Sequence, residues 1–346
     1  MKKNVNEKGV FRLKYYLKIF LLSFVCFAFL LGGVLFAFTS MRPDAEVVAV
    51  QPDPPAPTET VGNTVQEGGE VEPSEPVDTR TELQKMIDST NRINVLVFGT
   101  DGARADMIML VSYDPDNKLV DAISVPRDTY HYVPGHERKD QKKINAVYGL
   151  GKTGGGSLGM KKEVANLLQL PIHYYVKVNY NGVAEIIDLI GGVEVNVPFH
   201  MLYDDEYSDP PLHIDIPAGK QVLNGSNSVK YLRWRQNNDG SYQDGDIGRI
   251  NRQQQFMILA AQKAIGPKLP AVVNTAFNYV KTDMGLSDMV YYANTIIGFD
   301  FNNIETHRLP GEWTGFYYVH DPAATEEILE NFYKKSVEAN EAKTNN

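Results

Sequence analysis

Cysteine is almost missing from this chain of 346 residues: there is one, Cys26, and it sits in an apolar run near the N-terminus. Disulfides within the chain and cysteine-built zinc sites are therefore excluded. A basic excess is missing too. The chain has 34 Lys and Arg against 43 Asp and Glu, a formal net charge of −9, which argues against general nucleic-acid binding because that requires a basic surface. Histidines number only seven, and no Ser-His-Asp set stands out. The glycine-rich stretch 151–159 lacks a closing Gly-Lys-Ser/Thr, so it is not a Walker loop and gives nucleotide binding little support. There is no internal repeat, and no second hydrophobic core follows a linker. What remains is 43% hydrophobic and 22% charged, ordinary globular material able to bury one sizeable core.

Residues 1–18 carry Lys2, Lys3, Lys8, Arg12, Lys14 and Lys18 against a single acid, Glu7. Residues 19–39 are then almost wholly apolar, and ~20 such residues at helical rise span the hydrocarbon core of a bilayer. The basic flank places 1–18 in the cytoplasm and the rest of the chain outside. A cleaved signal peptide is the competing reading, but its apolar core is usually ~7–15 residues and ends at a small-x-small site. This run is longer and closes Phe-Ala-Phe-Thr-Ser-Met-Arg, so a retained single-pass anchor in the cell membrane is expected. Residues 40–79 are rich in Pro and acids and poor in large apolar side chains. Such a segment cannot offset its ordering entropy, and a disordered stalk is expected there.

The folded domain is expected over 80–335, with a flexible tail at 336–346. Residues 93–98 are a short β-branched apolar run, the pattern of a buried strand; 107–113 and 118–125 read as two more, joined by the turn 114–117. An entry to a helix is expected at 143–148. Helices at 158–168, 180–190, 226–232, 249–265 and, in two pieces, 269–297 alternate with strands at 173–179, 193–197 and 304–309. Residues 198–214 read as irregular. The pattern predicts an α/β fold, a single layered α-β-α domain with a mixed central sheet.

Two stretches carry charge where a sheet keeps its sites. Between the first two strands, 99–106 reads as a loop holding Asp101, Arg104 and Asp106 at strand ends. Carboxylates so placed suit Mg²⁺, which takes one or two of them plus substrate phosphates; equally, they could cap backbone amides of a turn. Another Arg-Asp pair, Arg127-Asp128, ends the third strand. The second stretch, 231–254, brings Arg233, Arg235, Arg249 and Arg252 together with Asp239, Asp244 and Asp246 in an acidic protein. Arg233 and Arg235 are two apart, on one face of extended chain. Arg249, Arg252 and Gln253 share one face of a helix, and a polar loop over 237–248 joins the two groups. Converging guanidinium groups grip phosphate with forked hydrogen bonds. The alternative is a salt-bridge network with the neighbouring acids. The large apolar side chains of the last helices, Phe256 and Met257 among them, are read as core, though a lipid tail would use the same kind of residue.

The motifs Phe98-Gly-Thr-Asp101, Arg104-x-Asp106, Ser124-x-Pro-Arg127-Asp128-Thr129, Lys143-Ile-Asn145-Ala, Leu223-Asn-Gly225, Tyr231-x-Arg233-x-Arg235 and Asp246-x-Gly-Arg249-x-x-Arg252-Gln253-Gln254 occur in this order, followed by Leu309-Pro-Gly311 and Tyr317-Tyr-Val319. Over about 94–319 the chain resembles the LytR-CpsA-Psr family, and a membrane anchor before an outside domain fits that family's architecture. The resemblance implies an enzyme that moves a glycopolymer, such as teichoic acid or capsular polysaccharide, from a polyprenyl pyrophosphate carrier to a sugar hydroxyl of peptidoglycan in a Gram-positive wall. It implies that Asp101 and Asp106 hold Mg²⁺ (or Mn²⁺), and that Arg104, Arg127, Arg233, Arg235 and Arg249, with Gln253, hold the diphosphate. Asp101, Asp128 and Asp246 are candidates for the base that takes the hydroxyl proton, with Arg127 catalytic beside them. Arg252 matches the pattern but is as well suited to packing or an ion pair. The loop 101–106 is shorter than in many relatives. A polyprenyl pyrophosphate hydrolase and a non-catalytic envelope module that binds lipid-linked polymer are the competing functions.

Overall fold

Alternation along one strand decides which side of the sheet carries the site. The computed structural model describes residues 80–345 apart from 153, 209–210 and 266–267, and without the side chains of Asp101, Asp246 and Ile247. The tail expected at 1–18, the span at 19–39 and the linker at 40–79 lie outside the described residues. Among those described, no helix is long and apolar enough to cross a membrane.

Helix α1 (Glu82–Ser89) opens with a capping box between Thr81 and Gln84. Strands β1 (Ile93–Asp101), β2 (Arg104–Asp114) and β3 (Leu119–Ser124) follow as an antiparallel meander. After two 3₁₀ turns (Lys139–Gln141 and Ile144–Leu150) come α2 (Gly156–Leu168), β4 (Tyr174–Val178) and α3 (Tyr180–Ile190). Then β5 (Val193–Val197) pairs with β8 (Gly219–Leu223), enclosing the hairpin of β6 (Met201–Asp205) and β7 (Leu212–Ile216). Helices α4 (Gly225–Arg233), α5 (Gly245–Ala264), α6 (Leu269–Tyr279) and α7 (Leu286–Thr295) surround the short strand β9 (Lys281–Thr282) in sequence. The chain closes with β10 (Ile304–Arg308), a hairpin of β11 (Gly311–Trp313) and β12 (Tyr318–His320), and α8 (Pro322–Thr344). The central sheet has the order β10-β3-β2-β1-β4-β9, with β1 parallel to β4 and β10 parallel to β3, so it is mixed as expected.

On one face of that sheet, Leu96 and Phe98 of β1 and Ile108 and Leu110 of β2 pack against Met160 and Val164 of α2 and Leu329 and Phe332 of α8. Burying such side chains stabilises by about 1.5–3 kcal/mol each, and the cluster forms the main core. On the other face, Ile93 and Val95 meet Met284 and Tyr292 near α7. Further along the same face, Val97, Gly99 and, across the register, Met107 have no such cover and border a cavity instead. A second cluster binds α3, α4 and α5 to β5–β8 through Val193, Val195, Ile214, Trp234 and Phe256. The cavity lies between that lobe and the sheet.

Four expectations need correction. Residues 99–106 are the end of a β-hairpin, with Asp101 opposite Arg104 and Gly102 at φ +56° making the turn. Residues 198–214 contain β6 and the start of β7, whose Leu212-His-Ile-Asp-Ile216 alternates buried and exposed throughout. A 3₁₀ turn takes the place of the helix expected at 143–148. The tail expected from 336 is helix through Thr344, because Ser336 is fully buried and accepts a hydrogen bond from Arg92 Nε at 2.7 Å.

Candidate diphosphate and lipid site

The cavity measures about 760 Å³, and its two ends differ in chemistry. Its inner wall is apolar: Val183, Ile186 and Ile190 of α3 face Phe256, Met257, Ala260 and Ala264 of α5. Small residues along α5 keep the space open where larger ones would fill it. Helix α3 is fixed at its start by Asn179, whose side chain accepts from Gly182 N at 2.7 Å. It stops at Gly191, which has φ +83°. A close approach holds α3 to α4: a Cβ on Gly225 would lie 2.2 Å from Ala184 O, and Gly225 N donates to Asp188 Oδ1 at 2.8 Å.

The outer end is charged. Arg127, Arg233, Arg235 and Arg249 all line the cavity, together with Asp106, Asp205 and Gln253. They come from β2, the end of β3, α4, α5 and the hairpin β6–β7, so the fold brings together guanidinium groups far apart in sequence. Arg127 Nη1 donates to Asp106 Oδ1 at 2.7 Å, and Arg235 Nη2 lies 3.9 Å from Asp106 Oδ2. Arg233 stacks 4.7 Å over the ring of Tyr180, and Arg249 is buried. Gln253 lines the cavity and donates from Nε2 to Leu232 O at 3.1 Å, which uses one of its two amide hydrogens. Arg233 is the last residue of α4 rather than part of an extended run with Arg235. Both reach the cavity because Trp234 turns the chain out of the helix with ψ 140°.

Arg252 faces the other way. Its Nε donates to Tyr231 O at 3.0 Å, its Nη2 to Trp234 O and its Nη1 to Asp244. It also stacks over Tyr231 and Trp234. Burial pulls its guanidinium down to about 10, so it remains charged at neutral pH and clamps the two ends of the 233–249 segment.

Arg104 does not line the cavity. Its Nη1 donates to Asn145 Oδ1 at 3.1 Å and its Nη2 to Asp140 Oδ2 at 3.2 Å. Asp128 is likewise held just behind the mouth, accepting from Lys143 Nζ at 3.1 Å and from Asn145 Nδ2 at 3.3 Å. The side chains of Asp101 and Asp246 lie outside the described residues. Asn145 and Lys143 belong to the Lys143-Ile-Asn145-Ala motif, and they join Arg104, Asp128 and Arg127 into one network. Asp205, Tyr180 and Tyr203 were missed as site residues. Asp205 sits among four acids in a stretch that gave no strand signal, and only the hairpin carries it to the cavity. Of the two carboxylates expected to hold Mg²⁺, Asp106 lines the cavity with its oxygens toward Arg127 and Arg235, and the side chain of Asp101 lies outside the described residues.

Both the sequence and the fold of this chain have known relatives. Over 214 residues it is 30% identical to the polyisoprenyl-teichoic acid–peptidoglycan teichoic acid transferase TagV of Bacillus subtilis (strain 168), covering 60% of this chain and 52% of TagV. It is 29% identical over 265 residues to the transferase TagU of the same organism, covering 73% of this chain and 80% of TagU. The match thus spans about half the length of TagV and four fifths of TagU. The crystal structure of B. subtilis TagV superposes with a TM-score of 0.57 at 27% identity, covering 70% of this chain and 96% of that one. The model of the LytR_cpsA_psr family matches residues 58–337. With that match over most of its length and the shared mixed α/β architecture, the chain belongs to the LytR_cpsA_psr family.

Proposed function

We propose that this chain transfers a glycopolymer from a polyprenyl pyrophosphate carrier to a sugar hydroxyl of peptidoglycan, forming a phosphodiester link in the cell wall. One observation carries this reading: a cavity that is hydrocarbon-like at one end and ringed by guanidinium groups at the other suits a ligand that is itself half isoprenoid and half diphosphate. The names of TagV and TagU, which are teichoic acid transferases, support the same substrate class. Residues 19–39 would anchor the chain in the cell membrane, with 1–18 inside and the folded domain outside, close to a carrier that is itself membrane-bound.

In this reading the isoprenoid lies between α3 and α5, where its burial replaces contact with water. Arg127, Arg233, Arg235 and Arg249, with Gln253, hold the diphosphate oxygens and stabilise the charge that builds on them as the bond breaks. The acceptor hydroxyl oxygen attacks the phosphorus that bears the polymer. The bond from that phosphorus to the bridging oxygen breaks, and polyprenyl phosphate leaves. The hydroxyl proton passes to a carboxylate. Asp101, Asp128 and Asp246 are the candidates, of which Asp128 is already engaged by Lys143 and Asn145. Phosphoryl transfer needs positioning and charge stabilisation more than a covalent enzyme intermediate, in keeping with a site that has no cysteine. Asp106, with Asp101, would hold Mg²⁺ or Mn²⁺, which when bound supplies further neutralisation of the diphosphate. Arg104 acts from behind the mouth, ordering Asn145.

The test is polymer transfer by the purified chain from a synthetic polyprenyl-pyrophosphate-linked donor, with and without peptidoglycan. Arg127→Ala removes a charge-assisted contact of about 1.5–3 kcal/mol, so the rate is expected to fall roughly ten- to hundredfold. Chelation of divalent metal is expected to suppress turnover. Equal rates in Arg127→Ala and the parent would sink the assignment of the site; product formed equally well without peptidoglycan would mark a hydrolase.

A further inference from the structure

An aromatic shelf stands open to solvent beside the mouth. Tyr130 is 40% exposed and Phe316, in the turn between β11 and β12, is 45% exposed. Tyr317 holds the two together, its ring 5.1 Å from that of Tyr130 and 4.8 Å from that of Phe316, edge-on to both. The Tyr317 hydroxyl donates to Lys139 O at 3.1 Å, so the shelf is braced rather than swinging free. The backbone ties it to the diphosphate end. Tyr318 N donates to Asp128 O at 2.9 Å, and Tyr130 N donates to Tyr318 O at 2.8 Å. Lys143 completes the link, with Nζ 4.2 Å from the centre of the Phe316 ring and 3.1 Å from Asp128 Oδ1. Asp128 is in turn the chain neighbour of Arg127. Phe316 is thus linked through Lys143 and Asp128 to Arg127 at the guanidinium ring, and none of the three shelf residues lines the apolar chamber.

Braced aromatic rings left in water serve no core, and a grouped exposed patch marks a binding surface. Their chemistry suits sugars: the C–H face of a pyranose lies flat on an aromatic ring while its polar edge reaches donors at the rim. The rim here is basic. The segment 137–143 holds Arg138, Lys139, Lys142 and Lys143 against Glu137 and Asp140, in a chain that is acidic overall. Within it Arg138 pairs with Asp140, Lys142 with Glu137 and Lys143 with Asp128, while Lys139 is exposed, so the rim keeps a modest basic excess that complements a polymer carrying carboxylates.

Resting on the transferase reading above, we propose that Tyr130, Phe316 and Tyr317 form an acceptor subsite. It holds a carboxylate-bearing glycan strand by stacking on its sugar rings, with the exposed Lys139 at the rim drawing in the carboxylates. A strand lying on this shelf presents its hydroxyl to the mouth from the side opposite the isoprenoid, the direction from which the leaving phosphate is displaced.

The experiment titrates the full chain in detergent micelles with soluble peptidoglycan glycan fragments, without any donor. Phe316→Ala and Tyr130→Ala are each expected to weaken binding about three- to tenfold, and Phe316→Trp to retain it. Affinity for a fluorescent polyprenyl phosphate is expected to stay unchanged in all three, which also reports that they are folded. In the transfer assay the KM for peptidoglycan rises while that for the donor holds. A chain that transfers polymer with the same acceptor KM in Phe316→Ala overturns the subsite alone. A chain that transfers nothing overturns the transferase reading, and the glycan titration still reports on the shelf. Attachment to anionic phospholipid vesicles, or self-association, that Phe316→Ala abolishes without any glycan binding also overturns the subsite.

Discussion

Arg235 and Arg252 look alike in the sequence and part company in the fold. Arg235 is 40% exposed in its side chain and borders the cavity, where a guanidinium costs little to keep in water and is available to a ligand. Arg252 is 7% exposed and spends its donors on Tyr231 O, Trp234 O and Asp244. Removing a charge from such a buried network leaves its partners unsatisfied and costs about 3–5 kcal/mol. Arg252→Met is accordingly expected to lower the melting temperature sharply, whereas Arg235→Ala is expected to leave it within a degree or two and to lower transfer instead. Thermal unfolding of the two variants side by side checks the division; a stable Arg252→Met protein would contradict it. Spacing alone could not separate the two roles. Arg249, Arg252 and Gln253 do share a helix, but the helix turns Arg252 toward the polypeptide it clamps and Arg249 toward the cavity.

At the scale of elements, the cavity depends on how α3 is held. The backbone of Gly225 at the head of α4 lies so near Ala184 O that a side chain there must push the two helices apart. Gly225→Val is expected to destabilise by about 1–3 kcal/mol. It is also expected to weaken binding of polyprenyl phosphate, since α3 forms one wall of the chamber; fluorescence titration of the lipid beside a melting curve would show whether both effects appear. This helix was among the most legible parts of the sequence. The expected helix at 180–190 and strand at 193–197 coincide with α3 and β5, because an unbroken apolar period and the Gly191-Gly192 stop leave little choice. The hairpin β6–β7 was not legible, since Asp204, Asp205, Glu206 and the prolines before Leu212 hide the alternation that follows. The end of β1 was misread for a similar reason. Gly99, Gly102 and the charges around them look like loop, yet a single positive φ at Gly102 suffices to return the strand. For the site, charge clustering pointed to Arg127, Arg233, Arg235 and Arg249. That Arg104 and Asp128 stand behind the mouth, and that Asp205 reaches it, depends on packing no local pattern encodes.

For the molecule as a whole, the layered sheet supplies one face and the β5–β8 lobe the other, and the chamber is the gap left where β1 loses its helical cover. The mixed sheet and the helices on both its faces follow from period and strand composition; the gap itself follows from small residues on α5 and from the way the lobe is hung on α3. That gap has a kinetic consequence. In the proposed reaction the spent carrier keeps its hydrocarbon chain and one phosphate, so its contacts in the chamber and part of the grip at its rim would survive the reaction. Departure of polyprenyl phosphate, a slow escape into the bilayer, is then expected to set the pace of turnover. Added polyprenyl phosphate is expected to compete with the donor, and a pre-steady-state experiment to show one rapid turnover before a slower steady rate. A linear time course from the first turnover would show that escape is fast and that the chamber releases its occupant as readily as it admits one.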